Sequence, residues 1–124
     1  MNARMFALCI GAFLLVEGIW GFFSPVVFGV LTTNTTHAVI HVILGAIGVW
    51  VGRGGGNARV YCTFLGVLLL VVGIAYFLPI TGLLVQKIFN VNTAVAIVNL
   101  AVGGAALTAR GMERSALRAE ARTI

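Results

Sequence analysis

Four apolar runs, at about residues 5–23, 36–51, 58–78 and 92–110, occupy most of this 124-residue chain. Each approaches the length a helix needs to cross about 30 Å of hydrocarbon at 1.5 Å per residue. Only helices or closed barrels satisfy their backbone polar groups in lipid, so runs of this length predict helices. Composition rules out the alternative of a water-soluble core. Only 9% of the residues are charged and 60% are hydrophobic, against about a quarter charged in soluble domains. A chain this short would have to coat a large surface with polar groups that it lacks. The expected fold class is therefore all-α: an integral membrane four-helix bundle forming a single domain over residues 1–124, with 111–124 as a basic tail.

The breaks between the runs are polar or conformationally permissive. Ser24-Pro25 ends the first run, and Pro25 to Thr33 reads as an apolar loop. The first run continues past the length of a signal-peptide core without a small-residue cleavage site, so it is kept as a helix. Asn34-Thr35-Thr36 supplies helix caps. The same triplet matches a glycosylation sequon, too near the membrane to serve as an acceptor. Gly52 to Asn57 is a glycine-rich turn, Pro79 stops the third run, and Asn92-Thr93 opens the fourth. Ile80 to Asn90 is an apolar connection, interfacial or briefly helical.

Basic residues set the topology. Arg4, Arg53, Arg59, Arg110, Arg114, Arg118 and Arg122 fall on one side of the runs, and only Lys87 on the other. By the positive-inside rule both termini face the cytoplasm. This placement fits the net charge of +5 better than nucleic-acid binding does. The four tail arginines recur every four residues as a stripe for anionic lipid or an acidic partner, or as a solvated stop signal. Cys9 and Cys62 are read as small buried apolar residues, with no disulfide in a reducing compartment and no metal-ligand spacing.

The chain reads as a tandem duplication of a helical hairpin. Gly11-Ala-Phe-Leu-Leu-Val-Glu-Gly-Ile parallels Gly66-Val-Leu-Leu-Leu-Val-Val-Gly-Ile. Asn34-Thr35 aligns with Asn92-Thr93, Gly45 with Gly103, and His41 with Asn99. Two helices per unit make the repeat parallel. Glycines at helical spacing predict close helix contacts, because small residues let backbones approach in lipid. They are Gly11 and Gly18, Gly45, Gly48 and Gly52, Gly66 and Gly73, and Gly103.

One polar group stands out. Glu17 lies inside the first run, where a charge costs at least ~2.5 kcal/mol on insertion scales, so a partner is expected. His37 and His41 share one face of the second helix, four residues apart. Counting 1.5 Å per residue places Glu17, His41 and Asn99 roughly 8–11 Å below the outer surface. Three readings follow: a hydrogen-bonded clamp, a proton-coupled or cation-binding pair, and ligation of haem or chlorin by His41 or His37. The first two carry more weight than the cofactor, and nothing resembles an enzyme's nucleophile–base pair.

Arg4-x-Phe6-Ala7, the segment Gly11 to Phe22, Asn34 to His37 leading into Leu44 to Gly48, and Arg59-Val60-Tyr61 before Gly66 and Gly73 carry a resemblance. The chain resembles the domain of unknown function 4383 family, uncharacterised four-helix membrane proteins of bacteria, over about residues 3–110. The resemblance implies the fold and a bacterial inner-membrane setting, and no activity. The family's pattern includes a histidine in the last helix, where this chain has Val95 and Asn99, and Glu17 departs from it too. The leading expectation is an accessory or structural subunit of a larger membrane complex, or a homo-oligomer. The alternatives are a small proton-coupled transporter or channel using Glu17 and His41, and a pigment-binding subunit.

Overall fold

The computed structural model describes residues 2–123, with side chains as far as Gly111. Five α-helices and one small hairpin follow in chain order. They are α1 (Ala3–Phe23), β1 (Val26–Val27), β2 (Leu31–Thr32), α2 (Thr35–Gly52), α3 (Ala58–Tyr76), α4 (Pro79–Phe89) and α5 (Thr93–Thr123). Four of the helices, α1, α2, α3 and the Thr93–Gly111 part of α5, are long and apolar enough to cross a membrane. Their outward faces carry large apolar side chains such as Phe64, Val71, Ile74 and Trp50. In water that surface would be penalised; in lipid it is solvated.

The segments between the runs bring one correction, at the first connection, and decide one open alternative, at the second. The Pro25–Thr33 stretch is not a plain loop: Val26 pairs with Thr32 and Val27 with Leu31 in an antiparallel hairpin. Its turn holds Phe28 and Gly29 at positive φ, 54° and 72°. A phenylalanine there is strained, and ring contacts offset the strain. Phe28 stacks on Phe13 at 5.9 Å and meets Trp20 edge-on at 5.0 Å. The Ile80–Asn90 connection is largely helical, as α4. Pro79 occupies its first turn, where the missing N–H costs nothing. Asn90 ends it in the left-handed conformation at φ 50°. The last helix also runs on through the expected tail; the side chains of Arg114, Arg118 and Arg122 lie outside those described.

Helices α1 and α2 pack as one close pair, and α3 and α5 as another. Glycine explains both. A Cβ on Gly11 would stand 2.8 Å from the Gly45 carbonyl oxygen, and one on Gly66 3.0 Å from that of Gly103. Two turns along, Gly18 faces the Ala38 carbonyl at 2.9 Å, and Gly73 faces that of Ala96 at 3.2 Å. Gly48 and Gly52 extend the first seam against Gly11, Tyr61 and Leu8. The same contacts thus recur at matching positions in the two pairs.

Apolar clusters fill the space between the pairs. Toward the arginine-rich end, Ile10, Leu14, Leu44, Tyr61, Cys62, Leu65 and Leu69 form the main core. Tyr61 donates its hydroxyl proton to the Leu44 carbonyl at 2.9 Å. Cys62 is fully buried, whereas Cys9 is exposed on α1, contrary to the expectation that both are buried. Cys9 lies off the buried stripe Ala3, Ala7, Ile10, Leu14, Glu17 and Gly21. At the opposite end Val27 and Leu31 of the hairpin, Val85 of α4, Val91 and Val95 form a second cluster.

Asparagine side chains clasp this second end. Asn34 caps α2 by accepting from the His37 N–H, and Asn92 caps α5 by accepting from the Val95 N–H. Their amide groups then cross over: Asn34 donates to the Ile88 carbonyl at 2.8 Å and Asn92 to that of Val30 at 2.7 Å. Asn90 adds a bond to the Thr33 carbonyl at 2.8 Å. Asn34→Ala and Asn92→Ala should each destabilise the protein by about 1 kcal/mol, the worth of a cap. Hydrogen–deuterium exchange should locate the loosening in α4 for Asn34→Ala and in the hairpin for Asn92→Ala.

Candidate functional site: a buried acid–histidine cavity

Glu17 on α1 and His41 on α2 meet across the first glycine seam. Close approach at Gly18 brings their helices near enough for His41 Nδ1 to lie 3.3 Å from Glu17 Oε2. Both side chains are only 8% exposed. The contact needs one proton between the two atoms. Either the imidazole N–H donates to a carboxylate, or a carboxylic acid donates to the imidazole.

His37 lies one turn away on the same helix face. Its ring stands edge-on to His41 with centroids 4.1 Å apart, and tilted against Phe89 of α4 at 5.8 Å. Its Nδ1 is buried and has no hydrogen-bond partner among the described residues. A buried polar atom left unpaired costs free energy, so it marks a place where a small polar species or a proton would be accepted.

His37 also lines a cavity of about 70 Å³ between the two helix pairs. His37, His41 and Asn99 are its polar lining; Leu44, Leu69, Val72, Phe89 and Val91 are among the apolar residues around them. About two water molecules fit such a volume. Asn99, buried at 7% exposure, makes no side-chain hydrogen bond among the described residues. Val72 and Asn99 line it from the second helix pair, so the two histidines stand on one wall only, with Glu17 behind His41. The four polar residues singled out by depth and spacing are thus brought together here: Glu17 with His41 directly, His37 beside them, and Asn99 across the cavity. Leu44 and Leu69 of the main core line one part of the cavity, and Phe89 of α4 and Val91 line another.

Sequence reasoning missed the contribution of α4 and Val91, which have no chemical signature of their own. Among the described residues, no three His, Cys, Asp or Glu side chains converge as a metal site would require.

These features define the protein as a bundle of four membrane-length helices with a polar centre. More narrowly, residues 4–112 match the family model described as domain of unknown function (DUF4383), and the chain belongs to that family. It matches no curated protein and no solved structure.

Proposed function

We propose that this chain is a non-enzymatic, multi-pass protein of the bacterial inner membrane, with both termini cytoplasmic, and that its Glu17–His41–His37 centre binds protons. The observation that carries the proposal is the Glu17–His41 contact beside the unpartnered Nδ1 of His37. A clamp between two helices needs only uncharged partners. A carboxyl–imidazole pair adds the ability to change charge: one proton takes a carboxylate and a neutral imidazole from net −1 to zero. His37 then offers a further acceptor within one helical turn, on the side nearer the hairpin and α4.

Seven arginines at one end against Lys87 at the other support the topology. That topology puts the proton site in the outer half. The core at Leu14, Leu44 and Leu65 stands between the site and the cytoplasmic end. Protons therefore exchange with the outer side, and the chain acts as an accessory subunit of a larger membrane complex or of a homo-oligomer. A small proton-coupled transporter is the second reading, favoured by the cavity itself; it requires a second conformation in which the leucine core parts. The matched seams at Gly11–Gly45 and Gly66–Gly103, with the crossed bonds of Asn34 and Asn92, support an origin by duplication of one hairpin.

Infrared difference spectroscopy between acid and alkaline pH, on the protein in lipid nanodiscs, tests the proposal. A carboxylic-acid carbonyl band should titrate and disappear in Glu17→Gln, and an imidazole signal should disappear in His37→Gln. Spectra in which neither variant removes a titrating band would leave only the clamp.

A further inference from the structure

We propose that a groove at the arginine-rich end, between α3 and α5, binds the phosphate of an anionic phospholipid. The groove has a volume of about 490 Å³ and is lined by Asn57, Arg59, Val60, Thr63, Phe64 and Arg110. It lies at the other end of the bundle from the acid–histidine cavity and does not rest on the function proposed for that cavity.

The argument starts from two arginines in the same position. Arg4 and Arg59 are each the second residue of a helix whose cap is an asparagine, Asn2 for α1 and Asn57 for α3. Arg4 is well supplied with acceptors. Its guanidinium donates to the Val51 carbonyl at 2.8 Å and the Gly55 carbonyl at 3.3 Å, and reaches that of Gly56 at 3.5 Å. Those carbonyls lie beyond the regular ladder because α2 ends at Gly52 and the chain turns through glycines; that of Val51 accepts the turn bond from the Gly54 N–H at 3.1 Å and keeps a second lone pair for Arg4. A cation at a helix C-terminus is the favourable arrangement.

Arg59 has no such supply. The helix opposite it, α5, does not end at this level but continues to Thr123, so its carbonyls stay committed within the helix. The place of Gly52 is taken by Arg110, a second cation. Arg59 Nε is buried without a hydrogen-bond partner among the described residues. Among the described residues neither Arg59 nor Arg110 forms an ion pair. Two guanidinium groups facing one groove, one with an enclosed and unused donor, are suited to an oxyanion, which can accept two parallel N–H bonds.

The flanks of the groove decide which oxyanion. Val60 and Phe64 are 63% and 58% exposed, on the outward face of a helix long and apolar enough to cross a membrane. An acyl chain would lie along them while its phosphate entered between the arginines. Basic pockets between helices at the cytoplasmic interface bind lipid head groups in this way.

The test is native mass spectrometry of the full-length protein in detergent with phosphatidylglycerol or phosphatidylcholine of identical acyl chains. The protein should retain phosphatidylglycerol preferentially. Arg59→Gln and Arg110→Gln should each lower its occupancy about fivefold, and the double substitution more than tenfold. Arg53→Gln, at the same end but outside the groove, should leave it unchanged. Equal loss on Arg53→Gln would show diffuse charge attraction and overturn the site. So would undiminished binding in the double variant, read beside Arg110→Gln alone in case the double variant folds poorly. Displacement of the lipid by millimolar inorganic phosphate would assign the groove to free phosphate and overturn the lipid.

Discussion

Replacing Gly45 with valine is expected to destabilise the protein by about 3 kcal/mol, at the upper end of what overpacking does to a tight interior. A Cβ at position 45 would stand 2.7 Å from the Gly11 carbonyl oxygen and 2.7 Å from the Leu15 nitrogen. Both are backbone atoms of α1, which cannot swing aside as a flexible side chain can. The α1–α2 pair must therefore separate, and dispersion contacts along the whole seam weaken together, in a solvent where such contacts are a main source of helix association. Gly104→Ala provides the contrast. Nothing lies within 4 Å of a Cβ there, so stability should hold or rise by less than about 1 kcal/mol through helix propensity. Denaturation by dodecyl sulfate in mixed micelles, followed by tryptophan fluorescence, measures both. Gly11→Val should resemble Gly45→Val, and the two together should cost less than their sum, because each separates the same helices. A Gly45→Val protein as stable as the wild type would mean that the seam does not hold the pair together.

The seams also show what a sequence of this kind discloses. Gly11 and Gly18, or Gly66 and Gly73, are seven residues apart, so helical periodicity alone places each pair on one face. Membrane-length helices are equally plain, because lipid leaves them no alternative. The hairpin at Val26–Thr32 was not legible. Only two residues pair on each side, and the positive φ of Phe28 is tolerated because its ring reaches Phe13 and Trp20, a tertiary fact. The helix α4 carried a signal in Pro79 at its first turn and Asn90 after its last, though its apolar sequence suits an interfacial strand or loop as well. The exposure of Cys9 could have been derived from the phase of Ala3, Ala7, Ile10 and Leu14. The groove of Arg59 and Arg110 could not, since no local pattern links residues from different helices. Counting depth assembled Glu17, His41 and Asn99 at one level, but depth says nothing about rotation. That Glu17 points at His41, and not at lipid, follows from the seam that holds α1 against α2.

His41→Leu is expected to be the second strongly destabilising substitution, costing about 3 kcal/mol. It leaves Glu17, 7% exposed, with its only described partner gone. Removing one member of a buried pair costs more than the pair contributes, because the survivor keeps its desolvation penalty without compensation. Replacing both members should therefore recover most of the loss: Glu17→Leu with His41→Leu should come within about 1 kcal/mol of the wild type, since the double variant buries no polar atom there. Glu17→Gln should cost less than His41→Leu, because an amide still bonds the imidazole. The same micelle titration, arranged as a double-mutant cycle, gives the coupling energy directly. Additive losses in the cycle would mean that the contact at 3.3 Å carries no coupling. Recovery in the apolar double variant would carry a further meaning. A bundle equally stable without Glu17 and His41 does not need them for its stability, which is what the proposed proton-binding role requires of the pair.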